Sequence, residues 1–464
     1  MTHKTTQEIG DAEVTGWFAG YYREELRKLC GFVVPEGASV LVLGSGTGEL
    51  LAALKPRRGL GVDLDSALVR EAAQRFPHLE FRAGNAEQLD LDETFDFVLL
   101  PDLVGSLVDV QRCFEGLRRV TRPDSRVLVT YYNFVWQPVL RLAEWIGLRK
   151  PKKEYNWLGM DDLSNLLELA GFEAIRRKYR MLLPVYVPLV SELANKVLSQ
   201  LPGFRQLTLL NALVARPPNP PAPKPLTVSV IVPTRNERGN VEGIVERTPE
   251  LGAGTELIFI DGNSTDGTAD EIRRQIGLHP DRNMKLLLQG DGAGKGDAVR
   301  KGFAAAAGEV LMILDADITV PPEDLPKFYD SIASGKGDFI NGTRLVYPME
   351  DQAMRFLNLL GNKFFSLCFT WLLDQRLKDT LCGTKVLKAS DYRTIVANRD
   401  FFGDFDPFGD FDLLFGASKL NLKIVEIPIR YKERTYGTTN ISRFRHGWLL
   451  LKMCAFAYTK LKVV

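Results

Sequence analysis

The residues with most chemistry to offer are acids at the ends of apolar runs. The run VLMIL leads into Asp315-Ala316-Asp317. Two carboxylates so placed can serve one divalent cation, because Mg²⁺ or Mn²⁺ takes a few carboxylates together with phosphate oxygens. Asp-x-Asp alone says little, since it recurs at Asp63 and Asp65, Asp90 and Asp92, Asp404 and Asp406, and Asp410 and Asp412. The first pair differs in its company. VSVIVP (228–233) runs into Thr234-Arg235-Asn236-Glu237, and ELIFID (256–261) ends in Asp261. In an open α/β sheet the carboxyl ends of the strands share one crevice, so Glu237, Asp261, Asp315 and Asp317 are expected around a single diphosphate ligand with its cation.

A second constellation lies upstream. SVLVLG (39–44) enters Gly44-Ser45-Gly46-Thr47-Gly48 and then ELLAAL, so the chain turns where bare amides and a helix N-terminus can meet a ligand. Asp63 ends the next apolar run, fifteen residues after Gly48, placed to accept hydrogen bonds from a ribose diol. The ligand is NAD or S-adenosylmethionine, and the spacing GxGxG, without a third glycine three residues after the second, favours the methyl donor.

These residues need strands and helices to hold them. Short apolar runs alternate with amphipathic stretches throughout, at 39–44, 60–64, 95–100 and 126–132, then at 228–233, 256–261, 285–289 and 310–317. This is the pattern of mostly parallel sheets covered by helices. Between the two sets, RPPNPPAPKPL (216–226) favours extended polyproline and reads as a semi-rigid linker. The expected organisation is a Rossmann-like α/β domain at 1–215, the linker, and a second α/β domain at 227–464.

Composition narrows the class. With 45% hydrophobic and 25% charged residues, the 464-residue chain is of ordinary globular type. A net charge of +1 gives no general affinity for nucleic acid. Cys30, Cys113, Cys368, Cys382 and Cys454 lie far apart and there are four histidines, which argues against a zinc cluster or disulfide framework and for a reducing, cytoplasmic compartment. The first twenty residues lack the apolar run of a secretory signal, and no apolar stretch is long enough to span a membrane.

From Ser39 to about Tyr132, VLVLGSGTG, GVDLD (61–65), GNAEQL (84–89) and FDFVLL resemble the class I S-adenosylmethionine-dependent methyltransferases. The resemblance implies that Gly44, Gly46 and Gly48 face the methionine moiety, that Asp63 binds ribose, and that Asn85 with Ala86 borders adenine. Asn85 departs from the usual Asp; its amide carbonyl is expected to meet the adenine amino group. Tyr21, Tyr22, Tyr131, Tyr132 and Asn133 are candidates to line the acceptor side, although aromatics near a strand end more often serve packing. No general base is evident.

Nearly all of 226–464 resembles the family-2 inverting glycosyltransferases of GT-A fold, in the polyprenyl-phosphate (dolichol-phosphate mannose synthase-like) branch. The motifs are VPTRNE (232–237), GKGDAVRKG (294–302), DAD, DTLCGTK (379–385), FDLLF (411–415) and RTYGTTN (434–440). The resemblance implies that Pro233, Glu237 and Asp261 hold the nucleoside, Asp315 and Asp317 the metal-bound diphosphate, and Arg434 the phosphates. Lys295 and Arg344 are further candidates for phosphate contact, with a solvated cation as the plain alternative.

Transfer by this chemistry needs positive charge at the leaving diphosphate. A hydroxyl acceptor also needs a carboxylate base, for which Asp410 and Asp412 stand, whereas a phosphomonoester, already largely ionised, needs none. Both aspartates read equally well as helix-capping or paired acids. The C-terminal stretch from Arg430, basic and amphipathic, and 354–373 are suited either to a membrane surface or to helix packing.

The sequence therefore predicts a two-domain α/β enzyme. It joins metal-dependent sugar transfer, from a nucleotide-sugar to a glycan or polyprenyl phosphate, with methyl transfer. It is expected in the cytoplasm, peripherally at the inner face of the membrane, and without a nucleic-acid partner. Three rivals remain: a non-catalytic nucleoside-binding N-terminal module, a sugar-phosphate nucleotidyltransferase, and an NAD-dependent oxidoreductase in the N-terminal half.

Overall fold

The computed structural model describes residues 17–147, 156–201, 203–292, 294–344, 346, 356–399, 411–432, 434, 436 and 443–462. Two compact units divide the chain, Met1–Pro218 with Lys462–Val464 and Asn219–Leu461.

The first unit is built on seven strands: β1 (Ser39–Leu43), β2 (Arg58–Asp63), β3 (Glu80–Ala83), β4 (Phe97–Pro101), β5 (Arg126–Tyr132), β6 (Glu173–Arg180) and β7 (Leu210–Arg216). Their order is β3-β2-β1-β4-β5-β7-β6, parallel except that β7 runs against both β5 and β6. The inner strands are apolar throughout because helices cover both faces; all five residues of β1 are buried. Strand order reverses between β1 and β4, which places a crevice at their carboxyl ends.

The second unit has β8 (Val228–Thr234), β9 (Thr255–Asp261), β10 (Asn283–Leu288), β11 (Val310–Ile313), β12 (Phe339–Thr343), β13 (Lys385–Lys388) and β14 (Ile424–Pro428). The order is β10-β9-β8-β11-β13-β12-β14, with β13 antiparallel to both neighbours and the other pairs parallel. Each sheet has its own apolar core, around Leu41, Val98 and Val127 in the first and Val230, Phe259 and Met312 in the second. None of the five cysteines is in a disulfide.

The expected strands are present, with two differences. The eighth run, 310–317, is strand only to Ile313, which leaves Asp315 and Asp317 free of the ladder in a loop. Strands β3, β6, β7, β12, β13 and β14 were not expected. β6 reads EAIRRKYR, which has no apolar alternation, yet Arg176, Lys178 and Arg180 are buried, Lys178 with its ammonium 4.5 Å from the centre of the Phe32 ring. Arg216, the first residue of the proline-rich run, is the last of β7, fully buried and 3.1 Å from Glu173.

Candidate functional site

β9, β8 and β11 lie side by side and parallel, with Thr234 opposite Asp261 and Ile313 opposite Ile231. The four acids therefore issue at one end of one sheet. Asp261 is 3% exposed; its Oδ2 accepts the Ser264 N–H at 3.1 Å, and its Oδ1 has no hydrogen-bond partner. An unsatisfied buried acceptor costs on the order of 1–3 kcal/mol, so Oδ1 is suited to a donor on a ligand. The loops after β8 and β9 are stitched together. The Asn236 N–H donates to Ser264 Oγ at 2.9 Å, Thr265 N–H to Asn236 Oδ1 at 2.9 Å, and Glu237 N–H to Thr268 Oγ1 at 3.0 Å.

Asp315, Asp317 and Glu237 each meet a cation. Lys295 Nζ is 2.6 Å from Asp315 Oδ1. Arg434 bridges two acids, with Nη2 2.6 Å from Asp317 Oδ2 and Nη1 3.4 Å from Glu237 Oε1. Desolvation raises the Asp315 pKa, but the Lys295 ammonium, with Lys385 and Arg344, outweighs it and holds the carboxyl below the usual range. At Glu237 burial prevails over Arg434 and holds the carboxyl above the usual range. Gly383, from DTLCGTK, packs so closely that a Cβ there would lie 1.9 Å from Asp315 Oδ2 and 2.5 Å from Lys295 Nζ.

Among the described residues, no three His, Cys, Asp or Glu side chains gather into a metal cluster. Asp315 and Asp317 remain as two hard oxygen donors, the set that Mg²⁺ or Mn²⁺ takes when phosphates complete its shell.

Other candidates sit elsewhere. Pro233 lies within β8 opposite Ile260. Arg344 forms a fork with the fully buried Asp379, at 2.7 and 2.8 Å, and its guanidinium lies 5.0 Å from the centre of the Tyr431 ring. That makes it a structural pair and not a solvated cation. Asp412 is 3.7 Å from both Arg300 and Arg399, in a groove walled by Ile395 and Leu420. Asp410 is outside the described residues. Helices Phe356–Leu373 and Arg443–Leu461 stack Trp371 on Tyr458, with ring centres 5.5 Å apart. No helix among the described residues is long and apolar enough to cross a membrane.

In the first unit, Gly44, Gly46 and Gly48 all have positive φ, at 74°, 51° and 79°. A Cβ at Gly48 would lie 2.6 Å from the Phe81 ring, so glycine is demanded by both backbone and space. Asp63 anchors the loop: Oδ2 accepts the Gly46 N–H at 2.8 Å, and Oδ1 the Asp65 N–H at 2.9 Å. Each oxygen keeps a lone pair for a diol. Asn85 Oδ1 accepts the Glu87 N–H at 2.9 Å, capping the turn that contains the buried Ala86. The oxygen expected to face adenine thus has one of its two lone pairs engaged.

Of the five acceptor-side candidates, Tyr131 and Tyr132 line a shallow cleft with Asp102, Asn156, Trp157 and Leu158. Tyr21 instead bonds Asn195, and Asn133 donates to the carbonyls of Gln206 and Thr208. Tyr22, buried, donates to Asp102 Oδ2 at 2.6 Å. Burial, then the Asp102 charge, pushes the Tyr22 phenol well above its ordinary value, so it stays a donor. Asp102 also accepts from Thr130 Oγ1 at 2.9 Å and has φ 50°, an unusual conformation for a non-glycine residue. It follows β4 directly, and its neighbour Leu103 fills the space above Gly44. Sequence reasoning missed this carboxylate; the signal available was an acid two residues beyond FDFVLL.

Comparison with known proteins assigns the two halves separately. Residues 41–129 match the family described as methyltransferase domain, and residues 229–387 match glycosyl transferase family 2. The chain joins a methyltransferase domain to a family 2 glycosyltransferase domain. The glycosyltransferase AglJ of Haloferax volcanii is 29% identical over 231 residues, 49% of this chain and 71% of that protein. The dolichol-phosphate mannosyltransferase of Pyrococcus furiosus is 34% identical over 49% of this chain and 64% of its own length. The dolichol-phosphate mannosyltransferase of Saccharomyces cerevisiae is 38% identical over 22% of this chain and 40% of its own length. For the methyltransferase domain, a Thermotoga maritima protein described as a possible histamine N-methyltransferase aligns at 18% identity, over 43% of this chain and 92% of its own, with TM-score 0.34.

Proposed function

We propose that the glycosyltransferase domain moves a sugar from a nucleotide-sugar to a polyprenyl phosphate with inversion, and that the methyltransferase domain moves a methyl group from S-adenosylmethionine. One observation carries the first part: Glu237, Asp261, Asp315 and Asp317 issue from three adjacent parallel strands, with Lys295 and Arg434 set among them. In this reading Asp261 and Glu237 orient the nucleoside, while Lys295 and Arg434 turn from their acid partners to the diphosphate. Asp315 and Asp317 would hold Mg²⁺ or Mn²⁺, which supplies positive charge for the departing phosphate. The bond from anomeric carbon to donor phosphate breaks, its electron pair stays with the nucleotide, and an acceptor oxygen bonds to the opposite face of the carbon.

Relatives named dolichol-phosphate mannosyltransferase support a phosphate acceptor, as does the transferase of Pectobacterium atrosepticum named for undecaprenyl phosphate and 4-deoxy-4-formamido-L-arabinose, 31% identical over 46% of this chain. Such an acceptor needs no base, which fits Asp412 being taken up by two arginines. An acceptor presented at the inner face of the membrane also supports peripheral work there, with the helices Phe356–Leu373 and Arg443–Leu461 near its lipid. In the methyltransferase domain, S-adenosylmethionine would lie against the glycine loop and Asp63, supplying a methyl group on a sulfonium. Asp102, steadied by Tyr22 and Thr130, takes the proton of the acceptor group in the aromatic cleft.

The test is a nucleotide-sugar panel with polyprenyl phosphate and Mg²⁺ or Mn²⁺. Asp315→Ala is expected to lower turnover at least about a hundredfold, and Asp412→Asn to leave it within a few-fold. Equal activity of Asp315→Ala and wild type would sink the assignment. Release of pyrophosphate from a nucleoside triphosphate would instead identify a nucleotidyltransferase.

A further inference from the structure

The cleft that opens after β4 has one kind of charge in its walls. Asp102 is the one charged side chain among the described residues that line it; the rest are aromatic, such as Tyr132 and Trp157, aliphatic, such as Val104 and Leu158, or neutral and polar, such as Asn156.

That charge is held in place. The Tyr22 and Thr130 hydroxyls donate to different oxygens of Asp102, at 2.6 and 2.9 Å, and the Asp102 N–H donates to the Thr130 carbonyl at 3.0 Å. Because burial and the nearby carboxylate keep the proton on Tyr22, the negative charge stays on Asp102. The Tyr132 ring is held in turn by the Tyr22 ring, with centres 5.2 Å apart.

The segment that carries Trp157 is fixed as well. The Asn156 N–H donates to the Gly105 carbonyl at 3.2 Å, and its side-chain amide donates to the carbonyls of Leu107 at 2.7 Å and Val104 at 3.2 Å. These bonds pin residues 156–158 against the loop that follows Asp102. The carboxylate also lies close to the glycine loop: a Cβ at Gly44 would be 3.1 Å from Cδ1 of Leu103, the residue after Asp102.

Charge selects the ligand. An anion would be set against Asp102, with no cation in the described lining to offset it. An ammonium group gains from the carboxylate and from aromatic neighbours together. The direction of charge during methyl transfer makes the same choice. A hydroxyl acceptor would bring developing negative charge against a carboxylate, whereas a nitrogen acceptor develops positive charge there.

We infer that the methyl acceptor of this domain is an amine, its nitrogen set against Asp102 beside Tyr132 and Trp157. The inference rests on the proposed methyl transfer for its chemistry and on the cleft alone for the charge of its ligand. The bound ammonium first loses a proton through Asp102 to water. The nitrogen lone pair then bonds to the methyl carbon, the carbon–sulfur bond breaks with its electron pair left on sulfur, and positive charge returns to nitrogen beside the carboxylate.

The test is titration of the full chain, followed by ligand NMR, with three probes of one size: phenethylamine, 2-phenylethanol and phenylacetate. Phenethylamine is expected to bind at least about tenfold tighter than the alcohol, and phenylacetate weakest. Asp102→Asn is expected to bring amine and alcohol within about twofold of each other. Trp157→Leu is expected to lower their ratio at least about threefold, and it carries the test if Asp102→Asn does not melt cooperatively. Equal binding of amine and alcohol by wild type overturns the inference, as does a ratio that both variants keep. Calorimetry with S-adenosylmethionine on the same preparation separates this inference from the reading beneath it. Binding of S-adenosylmethionine without preference for the amine overturns the inference alone. Preference for the amine without binding of S-adenosylmethionine overturns methyl transfer, and the amine as its acceptor with it.

Discussion

Asn85 carries one oxygen where an aspartate would carry two, and that oxygen already caps the turn at Glu87. One lone pair is left on it and the nitrogen only donates, so an aspartate would offer the adenine amino group a second, charged acceptor. Asn85→Asp is therefore expected to tighten S-adenosylmethionine by about 1 kcal/mol, roughly fivefold, measured by titration calorimetry; no gain would place adenine elsewhere. Glu237 gives a pH dependence. Burial holds its carboxyl above the usual glutamate range, so it takes up a proton at higher pH than a free glutamate and then loses its attraction for Arg434. Asp315, held low by Lys295, stays ionised over the same range. The acid limb of nucleotide-sugar turnover is expected at higher pH than a free glutamate would give and is expected to be absent in Glu237→Gln; an unchanged limb in that variant refutes the assignment. Residues at this scale were legible where a motif marked them. Asp102 was not, because its partners Tyr22 and Thr130 are 80 and 28 positions away.

At the scale of elements, the sugar site is made by loops that rigid strands hold in place. Gly383, in the loop before β13, brings backbone against Asp315 and Lys295. The atoms a methyl group would meet are the ends of flexible side chains, so Gly383→Ala is expected to cost less than about 1 kcal/mol of stability. The same substitution pushes apart the pair that must meet the diphosphate, and kcat/KM is expected to fall at least about thirtyfold. Thermal melting and steady-state kinetics separate the two; a loss of stability matching the loss of activity would show Gly383 to be structural only. Central strands such as β1 and β8 were readable from their unbroken apolar runs. β6 was not, since a strand whose buried side is basic carries no apolar period.

The whole molecule carries two cores, each enclosing its own sheet. Damage to one site is therefore expected to stay local. Gly48→Val, at φ 79° and against the Phe81 ring, is expected to abolish S-adenosylmethionine binding while sugar transfer stays within about twofold. Both activities assayed on one preparation test this, and loss of both would show a single cooperative unit. What the amino-acid order determined alone was local: glycines where a loop needs positive φ, acids just past apolar strands, and prolines between two globular segments. Those features depend on neighbours a few positions apart, and the backbone's own preferences suffice to express them. Tertiary structure decided which groups meet. Arg434 reaches Asp317 across 117 positions and Glu237 across 197, Arg344 is claimed by Asp379, and the turns at 190–200 face their apolar side outward. Such pairings follow from strand order and packing, which bring distant residues together for reasons that no local spacing records.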